Sequence, residues 1–186
     1  ELHNLPQESN NVGDLARAMN REYKIAERTA EYHVRNGRSF PYTLRESSVN
    51  VAQVELVKIR AINTGAEAIY LHPHGHKFKI THYDGVELAE PITRDVVDIG
   101  PAQRVDLELN TSDNGLDSYG PGVWFMHDHR EHGVTTDGIS PGGNINLTIY
   151  ESFVKDDGMP ETVGDLSRFL DPAYYRGEIP IWKDIY

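Results

Sequence analysis

Short β-forming segments separated by turn residues fill the middle of this sequence and restrict its fold more than any other feature. Between residues 31 and 150, turn residues recur about every ten positions, for example at Asn36–Gly37, Asp84–Gly85 and Gly100–Pro101. Gly and Asn supply the left-handed backbone of tight turns, and Pro fixes the φ angle beside them. This spacing predicts an all-β sandwich or barrel, with Greek-key connections as the usual topology.

The strands themselves are predicted from alternation of apolar and polar residues. Alternation is clear at Val105, Leu107 and Leu109, and in the series from Val54 through Leu56, Lys58 and Arg60 to Ile62. The predicted strands are 31–34, 51–63, 69–71, 77–82, 93–99, 104–109, 122–127 and 144–150.

The flanking segments differ from this pattern. Residues 1–30 are polar and are predicted to form an extension or linker, with Asp14 capping a short helix over residues 15–28. Residues 151–186 are acidic and then aromatic, with a short helix predicted over 165–170. We expect Tyr174, Tyr175, Trp182 and Tyr186 to pack on a sheet or on a partner. The predicted domain therefore covers residues 31–150.

Six of the nine histidines lie in two clusters, His72-Pro-His74-Gly-His76 and His127-Asp-His129-Arg-Glu-His132. Residues i and i+2 of a strand point to the same face, so each H-x-H pair presents two imidazoles to one side. Two such strands, if adjacent, would gather four imidazoles. Imidazole suits copper, zinc, iron and nickel. His72, His74, His127 and His129 are the predicted metal ligands, and His76 and His132 are weaker candidates. The other three, His3, His33 and His82, are interpreted as surface residues.

Composition excludes several classes of function. The chain has no cysteine, so it forms no disulfide, thiolate zinc site, iron–sulfur cluster or cysteine nucleophile. Its formal net charge of -11 argues against nucleic acid as a partner, because phosphates are bound by Lys and Arg. No apolar run approaches the roughly 20 residues of a membrane-spanning helix.

Five segments, in order and spacing, resemble those of the multicopper oxidase family. They run from Val34 to Pro41, from Val57 to Gly65, from Leu71 to Phe78 (similar to H-x-H-G-H-x-F), from Asp95 to Leu109, and from Trp124 to His129 (similar to W-x-x-H-C-H). The resemblance covers about residues 31–150 and is to the last domain of these enzymes. It implies a cupredoxin-like β-sandwich with short helical N- and C-terminal extensions.

The resemblance also implies a role for the histidines. In the family, the two H-x-H pairs form half of an eight-histidine trinuclear copper site, and a partner domain supplies the other half. On this sequence the implied half consists of His72, His74, His127 and His129. A complete site would need a second cupredoxin domain or a homo-oligomer. The resemblance further suggests an exported protein, periplasmic or extracellular.

The blue, or type 1, copper site of the family is not retained. Its cysteine position is occupied by Asp128, and its two histidine positions by Ile69 and Gly133. The axial methionine position falls near Gly138 or Ile139. Without a thiolate, a blue copper centre cannot form, so this domain lacks the electron entry site.

Three functions follow as alternatives. The first is a copper-binding cupredoxin-like domain, with zinc as the second choice of metal. The second is a domain or subunit of a larger multicopper oxidase, an oxidoreductase, that contributes half of a trinuclear site. The third is an interaction module without metal, using the aromatic residues from Tyr174 onward and the turn at Tyr119–Gly122. The chain alone is not expected to be a competent oxidase.

Overall fold

The computed structural model describes residues 29–160 and 163–179. From Glu31 onward these residues belong to one compact unit, Glu31–Tyr186. The predicted helix over residues 15–28 lies outside the described residues, as do Trp182 and Tyr186. The predicted limits of the domain, residues 31 and 150, stay a prediction.

Within the described residues, nine strands form two sheets. The five-stranded sheet has the order β1-β9-β8-β3-β6, and the four-stranded sheet has the order β2-β7-β4-β5. The strands are β1 (Val49–Val51), β2 (Leu56–Ile62), β3 (Ile69–Pro73), β4 (Phe78–Tyr83), β5 (Val86–Arg94), β6 (Val97–Ile99), β7 (Arg104–Asn110), β8 (Val123–Asp128) and β9 (Ile145–Tyr150). All pairs are antiparallel except β1 with β9. The predicted cupredoxin-like Greek-key sandwich is confirmed.

Helices are few and short. The α-helices are α1 (Thr43–Glu46) and α2 (Pro172–Tyr175), and 3-10 turns lie at Glu131–Val134, Glu151–Phe153 and Ser167–Leu170. The helix predicted over residues 165–170 is therefore a 3-10 turn followed by α2, which begins where Asp171 caps Ala173 and Pro172 occupies the first turn. No helix within residues 29–160 and 163–179 has the length and hydropathy needed to span a bilayer.

The core lies between the two sheets. On β7, Val105, Leu107 and Leu109 are buried, as their alternation predicts. On β2 the alternation has the opposite sense, because Val57, Ile59 and Ala61 pack on the core and the other four residues are exposed. Successive side chains of a strand lie on opposite faces of the sheet. The alternate residues Leu56, Lys58, Arg60 and Ile62 therefore face solvent.

Several strands differ from the sequence prediction. No strand forms over residues 31–34, where Tyr32 makes an isolated bridge with Thr136, and the segment predicted over 93–99 is divided between β5 and β6. The segment predicted as one strand over 51–63 is interrupted between β1 and β2, where Val54 has a φ angle of 60°. A β-branched residue rarely adopts this backbone conformation, so the pattern alone gave no sign of the break. Most of β5 was also missed. This edge strand is almost entirely exposed and contains Pro91, so it shows no buried face in its sequence.

A second apolar cluster lies on the outer side of β9. Phe40, Leu44, Leu147 and Ile149 are buried there, and residues of the C-terminal segment, including Phe169, pack against them. Tyr174 is 1% exposed, and its hydroxyl donates to the Ser140 carbonyl at 2.6 Å. The Tyr175 hydroxyl likewise donates to the Phe40 carbonyl at 3.3 Å. Of the two expected alternatives, packing on a sheet or on a partner, both tyrosines therefore show contacts within the chain.

Candidate metal centre

The pairing of β3 with β8 brings the two H-x-H pairs together. His72 lies directly opposite His127 in the antiparallel ladder. The ladder continues past both strand ends, because the His74 amide donates to Phe125 O at 2.7 Å and the His129 amide donates to Tyr70 O at 2.8 Å. Each pair therefore keeps its strand-like spacing, and His74 and His129 lie diagonally on either side of the central pair.

The four rings form a continuous cluster. His72 lies at ring-centroid distances of 4.6 Å from His74, 5.6 Å from His127 and 5.1 Å from His129. His127 lies 5.1 Å from His74 and 5.5 Å from His129. One nitrogen from each of His72, His74 and His127 lies within 4.8 Å of the other two. Such a set of nitrogens can hold a metal ion.

Backbone carbonyls fix the orientation of two rings. His72 Nδ1 lies 3.2 Å from the Asp95 carbonyl oxygen, and His127 Nδ1 lies 2.8 Å from the Asp128 carbonyl oxygen. Because a carbonyl only accepts, both Nδ1 atoms carry the proton, and each Nε2 presents its lone pair. Metal-binding histidines are commonly held in this way through their other nitrogen. The Asp95 side chain also lies 3.6 Å from His72 Nδ1.

The spacing of two nitrogens fits a shared ion. His74 Nε2 and His127 Nε2 are 3.0 Å apart. Two ligands bound at about 2 Å and at roughly a right angle would be separated by about 3 Å. All of the donors are imidazole nitrogens, which suits copper and other transition metals. The residues present therefore fit the metal that the sequence predicts.

Two of the rings, His74 and His127, have lowered pKa values that favour the neutral, metal-binding form. Burial lowers the pKa of His74, and the neighbouring rings of His72, His127 and His129 lower it further. Burial is also the largest cause of the lowered pKa of His127. Protons therefore compete less with a metal at neutral pH than they would at an isolated histidine.

His76 is not brought into this cluster. It is 2% exposed, and its Nδ1 lies 2.9 Å from the His74 carbonyl oxygen. Its Nε2 accepts from the Tyr150 hydroxyl at 2.9 Å, and the two rings stack. Both nitrogens are thus used within the protein, in an arrangement that supports the backbone of the first histidine cluster.

His132 also lies apart from the four rings. Its Nε2 is 3.0 Å from Glu67 Oε2, and its ring contacts His33 at a centroid distance of 4.9 Å. Glu67, in the loop before β3, and Arg130, just after β8, also lie in this region; the sequence did not identify them. Nothing in their spacing indicates that the fold brings them together.

Comparison with known proteins agrees with this geometry. Residues 6–137 match the family described as "Multicopper oxidase". The multicopper oxidase mgLAC is 32% identical, with a TM-score of 0.61, over 79% of this chain and 42% of that structure. A blue copper oxidase from Nitrosomonas europaea is 28% identical, with a TM-score of 0.60, over 81% of this chain and 44% of that structure. The chain thus spans less than half the length of either protein. No curated protein matches significantly.

Proposed function

This chain belongs to the multicopper oxidase family, and on that premise we propose that its cupredoxin-like domain supplies half of a trinuclear copper centre that another domain completes. His72, His74, His127 and His129 are the proposed ligands. The observation that carries the proposal is the direct pairing of His72 with His127 across β3 and β8. This pairing places two same-facing pairs of imidazoles against each other.

The length of the chain supports a shared centre. It spans 42% and 44% of the two solved structures described above. A second cupredoxin domain, from the same protein or from another copy of the chain, would cover the open side of the four rings. Phe125, beside His74, is 53% exposed and offers apolar surface for such a contact.

Copper is the metal we propose, because family membership favours copper and offers no support for zinc. Copper bound at the four imidazoles would supply one-electron redox chemistry, while the chain itself holds and orients the ligands. The absence of cysteine means that this domain has no type 1 centre through which electrons could enter. An exported location, periplasmic or extracellular, belongs to the same proposal.

A second candidate function is a domain that binds a single copper ion by itself. The observation that favours it is the close spacing of His72, His74 and His127 within one chain. Three imidazoles suffice for one ion, and in that case no partner is required. The two candidates differ in the number of ions bound and in whether a partner increases that number.

The test is a titration of the full metal-free chain with Cu(II) at pH 7.5, followed by calorimetry and electron paramagnetic resonance. We expect an ordinary, not blue-type, Cu(II) signal, and affinity at least about tenfold lower in His74→Ala. His82→Ala, on the four-stranded sheet, is the matched control and should bind as the wild type does. Equal affinity in wild type and His74→Ala would contradict a metal site at these residues.

Oxidase assays of the isolated chain distinguish a chain that holds half of a trinuclear centre from a chain that holds a complete one. We expect no oxidation of phenols, Fe(II) or Cu(I) by the copper-loaded chain, because neither an electron entry site nor the remaining imidazoles are supplied by this domain. Copper content that rises above one ion per chain when a second cupredoxin domain is added would support the shared centre. Turnover by the monomeric chain would contradict it.

A further inference from the structure

Asp128 is a buried carboxylate between the two histidines of the second pair. Its side chain is 1% exposed, and it lies at the end of β8, where His127 and His129 flank it. A carboxylate removed from water is strongly destabilising unless its charge and its lone pairs are compensated. The groups that hydrogen-bond or ion-pair with the Asp128 carboxylate are therefore the groups that hold the end of β8 in place.

The carboxylate connects the two segments that carry the proposed ligands. Asp128 Oδ1 accepts from the Tyr70 amide at 3.1 Å and from the Arg130 amide at 3.2 Å. Tyr70 precedes His72 by two residues on β3, and Arg130 follows His129 directly. The Tyr70 carbonyl in turn accepts from the His129 amide. The carboxylate thus extends the pairing of the two strands beyond the last regular ladder position.

Arg130 fixes the carboxylate from the other side. Its Nη2 and Nε donate to Asp128 Oδ2 at 2.9 and 3.3 Å, and its Nη1 donates to Glu67 Oε2 at 2.7 Å. Burial by itself would lower the pKa of Arg130, but the hydrogen bonds to the two carboxylates outweigh this effect and raise it. A planar guanidinium held between two carboxylates has little freedom to rotate.

The loop that follows closes tightly on this network. A Cβ atom at Gly133 would lie 2.4 Å from Asp128 Oδ2, so only glycine allows the chain to approach so closely. Asp128 and Gly133 stand where the family carries the cysteine and a histidine of its type 1 site. The ion-paired network of Glu67, Arg130 and Asp128 therefore occupies the region where other family members bind type 1 copper.

We infer that Glu67, Arg130 and Asp128 form a positioning network that takes the place of the type 1 metal and holds His129 against His72 and His127. No side chain of the network hydrogen-bonds a ring nitrogen of the four proposed ligands. Glu67 contacts the ring of His132, and Asp128 reaches His127 Nδ1 only through its backbone carbonyl. The members therefore act on the ligands through the backbone of Tyr70, Asp128, His129 and Arg130. This inference rests on the proposed metal site at the four histidines, and its test is designed to separate the two.

A double-mutant cycle tests the inference in the full chain. Cu(II) affinity is measured for wild type, Arg130→Met, His129→Ala and the double variant. We expect Arg130→Met to weaken binding about tenfold and to cause no further loss when His129 is already alanine. Losses that add would mean that Arg130 acts on general stability and would overturn the inference. Arg104→Met, which removes an arginine paired with Asp84 on the other sheet, should leave affinity unchanged.

Two further measurements keep the test decisive. If Arg130→Met does not fold, Glu67→Gln replaces it in the same cycle, with the same outcomes. If the wild-type chain binds no Cu(II), the proposed function fails, and amide hydrogen exchange of the metal-free protein decides the inference. Exchange at Tyr70 and residue 130 that is about tenfold faster in Arg130→Met than in wild type and Arg104→Met supports it. Unchanged exchange overturns it.

Discussion

Asp128 stands where the resemblance places the cysteine of a type 1 copper site. A thiolate in that position would offer a soft ligand, whereas a carboxylate is a hard one. In this protein the carboxylate is committed to the Tyr70 amide and to Arg130. The residue at the cysteine position therefore has structural partners of its own, and an arginine lies beside it.

Restoring the cysteine should not restore a blue site. In Asp128→Cys, Ile69 and Gly133 still supply no imidazole, and the Arg130 guanidinium remains in the pocket. We expect no blue-type absorption after addition of Cu(II), and a loss of about 3 kcal/mol in the free energy of unfolding, because Arg130 loses its buried partner. Visible spectroscopy and denaturant unfolding measure the two effects.

The exposed pair of Asp84 and Arg104 provides the control for that experiment. Asp84→Cys removes a carboxylate that also faces an arginine, at 3.3 Å, but near solvent. Its cost should be at most about 1 kcal/mol. A blue spectrum in Asp128→Cys, or equal costs for the two variants, would show that the pocket is organised differently from this description.

At the scale of secondary structure, the turn after β3 determines where His74 stands. Gly75 has a φ angle of 68°, and a Cβ atom there would lie 2.4 Å from the Trp124 ring. The neighbouring His76 bonds back to the His74 carbonyl oxygen. The turn is thus held between the indole of β8 and the buried imidazole, which explains why glycine is required between two histidines.

Gly75→Ala and Gly85→Ala separate backbone strain from steric conflict. Gly85 has a φ angle of 83°, and its added Cβ would meet nothing within 4 Å. We expect Gly85→Ala to lower the free energy of unfolding by about 1 kcal/mol, the cost of left-handed backbone. Gly75→Ala should cost about 1–3 kcal/mol more, because Trp124 must move. It should also weaken Cu(II) binding. Denaturant unfolding checks the difference, and equal costs would contradict the close packing.

The strands that carry the proposed ligands were easier to predict than the strands at the sheet edges. Segments around His72 and His127 are short, apolar on one side and bounded by clear turns. They form β3 and β8 as expected. By contrast, β5 is an exposed edge strand defined by its pairing with β4, and the break before β2 depends on the φ angle of Val54. Neither the pairing of an exposed edge strand nor an unusual φ angle produces a pattern of apolar residues in the sequence.

At the scale of the whole molecule, histidines with lowered pKa values make stability depend on pH. Burial is the largest cause of the lowered pKa values of His33, His74, His76 and His127. When the folded pKa lies below the unfolded value, the unfolded state binds protons first. The stability of the metal-free protein should therefore be intact above about pH 6.5, the unfolded value, and fall as the pH decreases below it.

Urea unfolding of the metal-free chain at pH values from about 8 to about 5 measures this dependence. The fall should be smaller in His76→Gln, which removes one of the buried titrating groups, than in wild type. His76→Gln itself should be less stable at neutral pH, because the ring that stacks on Tyr150 and hydrogen-bonds its hydroxyl is lost. Stability that stays constant or rises as the pH falls toward 5 would contradict the assignment of these rings as neutral in the folded protein.

Only the part of the candidate site that depends on the i, i+2 spacing of residues along one strand could be predicted from the sequence. The spacing of His72 and His74, and of His127 and His129, indicates two same-facing pairs, and the structure brings all four rings together. His76 has the same spacing from His74, yet its ring is turned toward Tyr150, which is 74 residues distant in sequence. The partners Glu67 and Arg130 are likewise joined by tertiary folding alone.

The parallel pairing of β1 with β9 joins the first and last strands of the sandwich, with Val49 beside Thr148. A nascent chain must therefore be synthesised almost to Tyr150 before this sheet can close, and contacts so distant in sequence form slowly. Likewise, His127 and His129 are made long after His72 and His74. A metal ion cannot organise such a chain from its first residues, as zinc organises a small finger. The copper we propose at these histidines would therefore be loaded only after the polypeptide has acquired its shape.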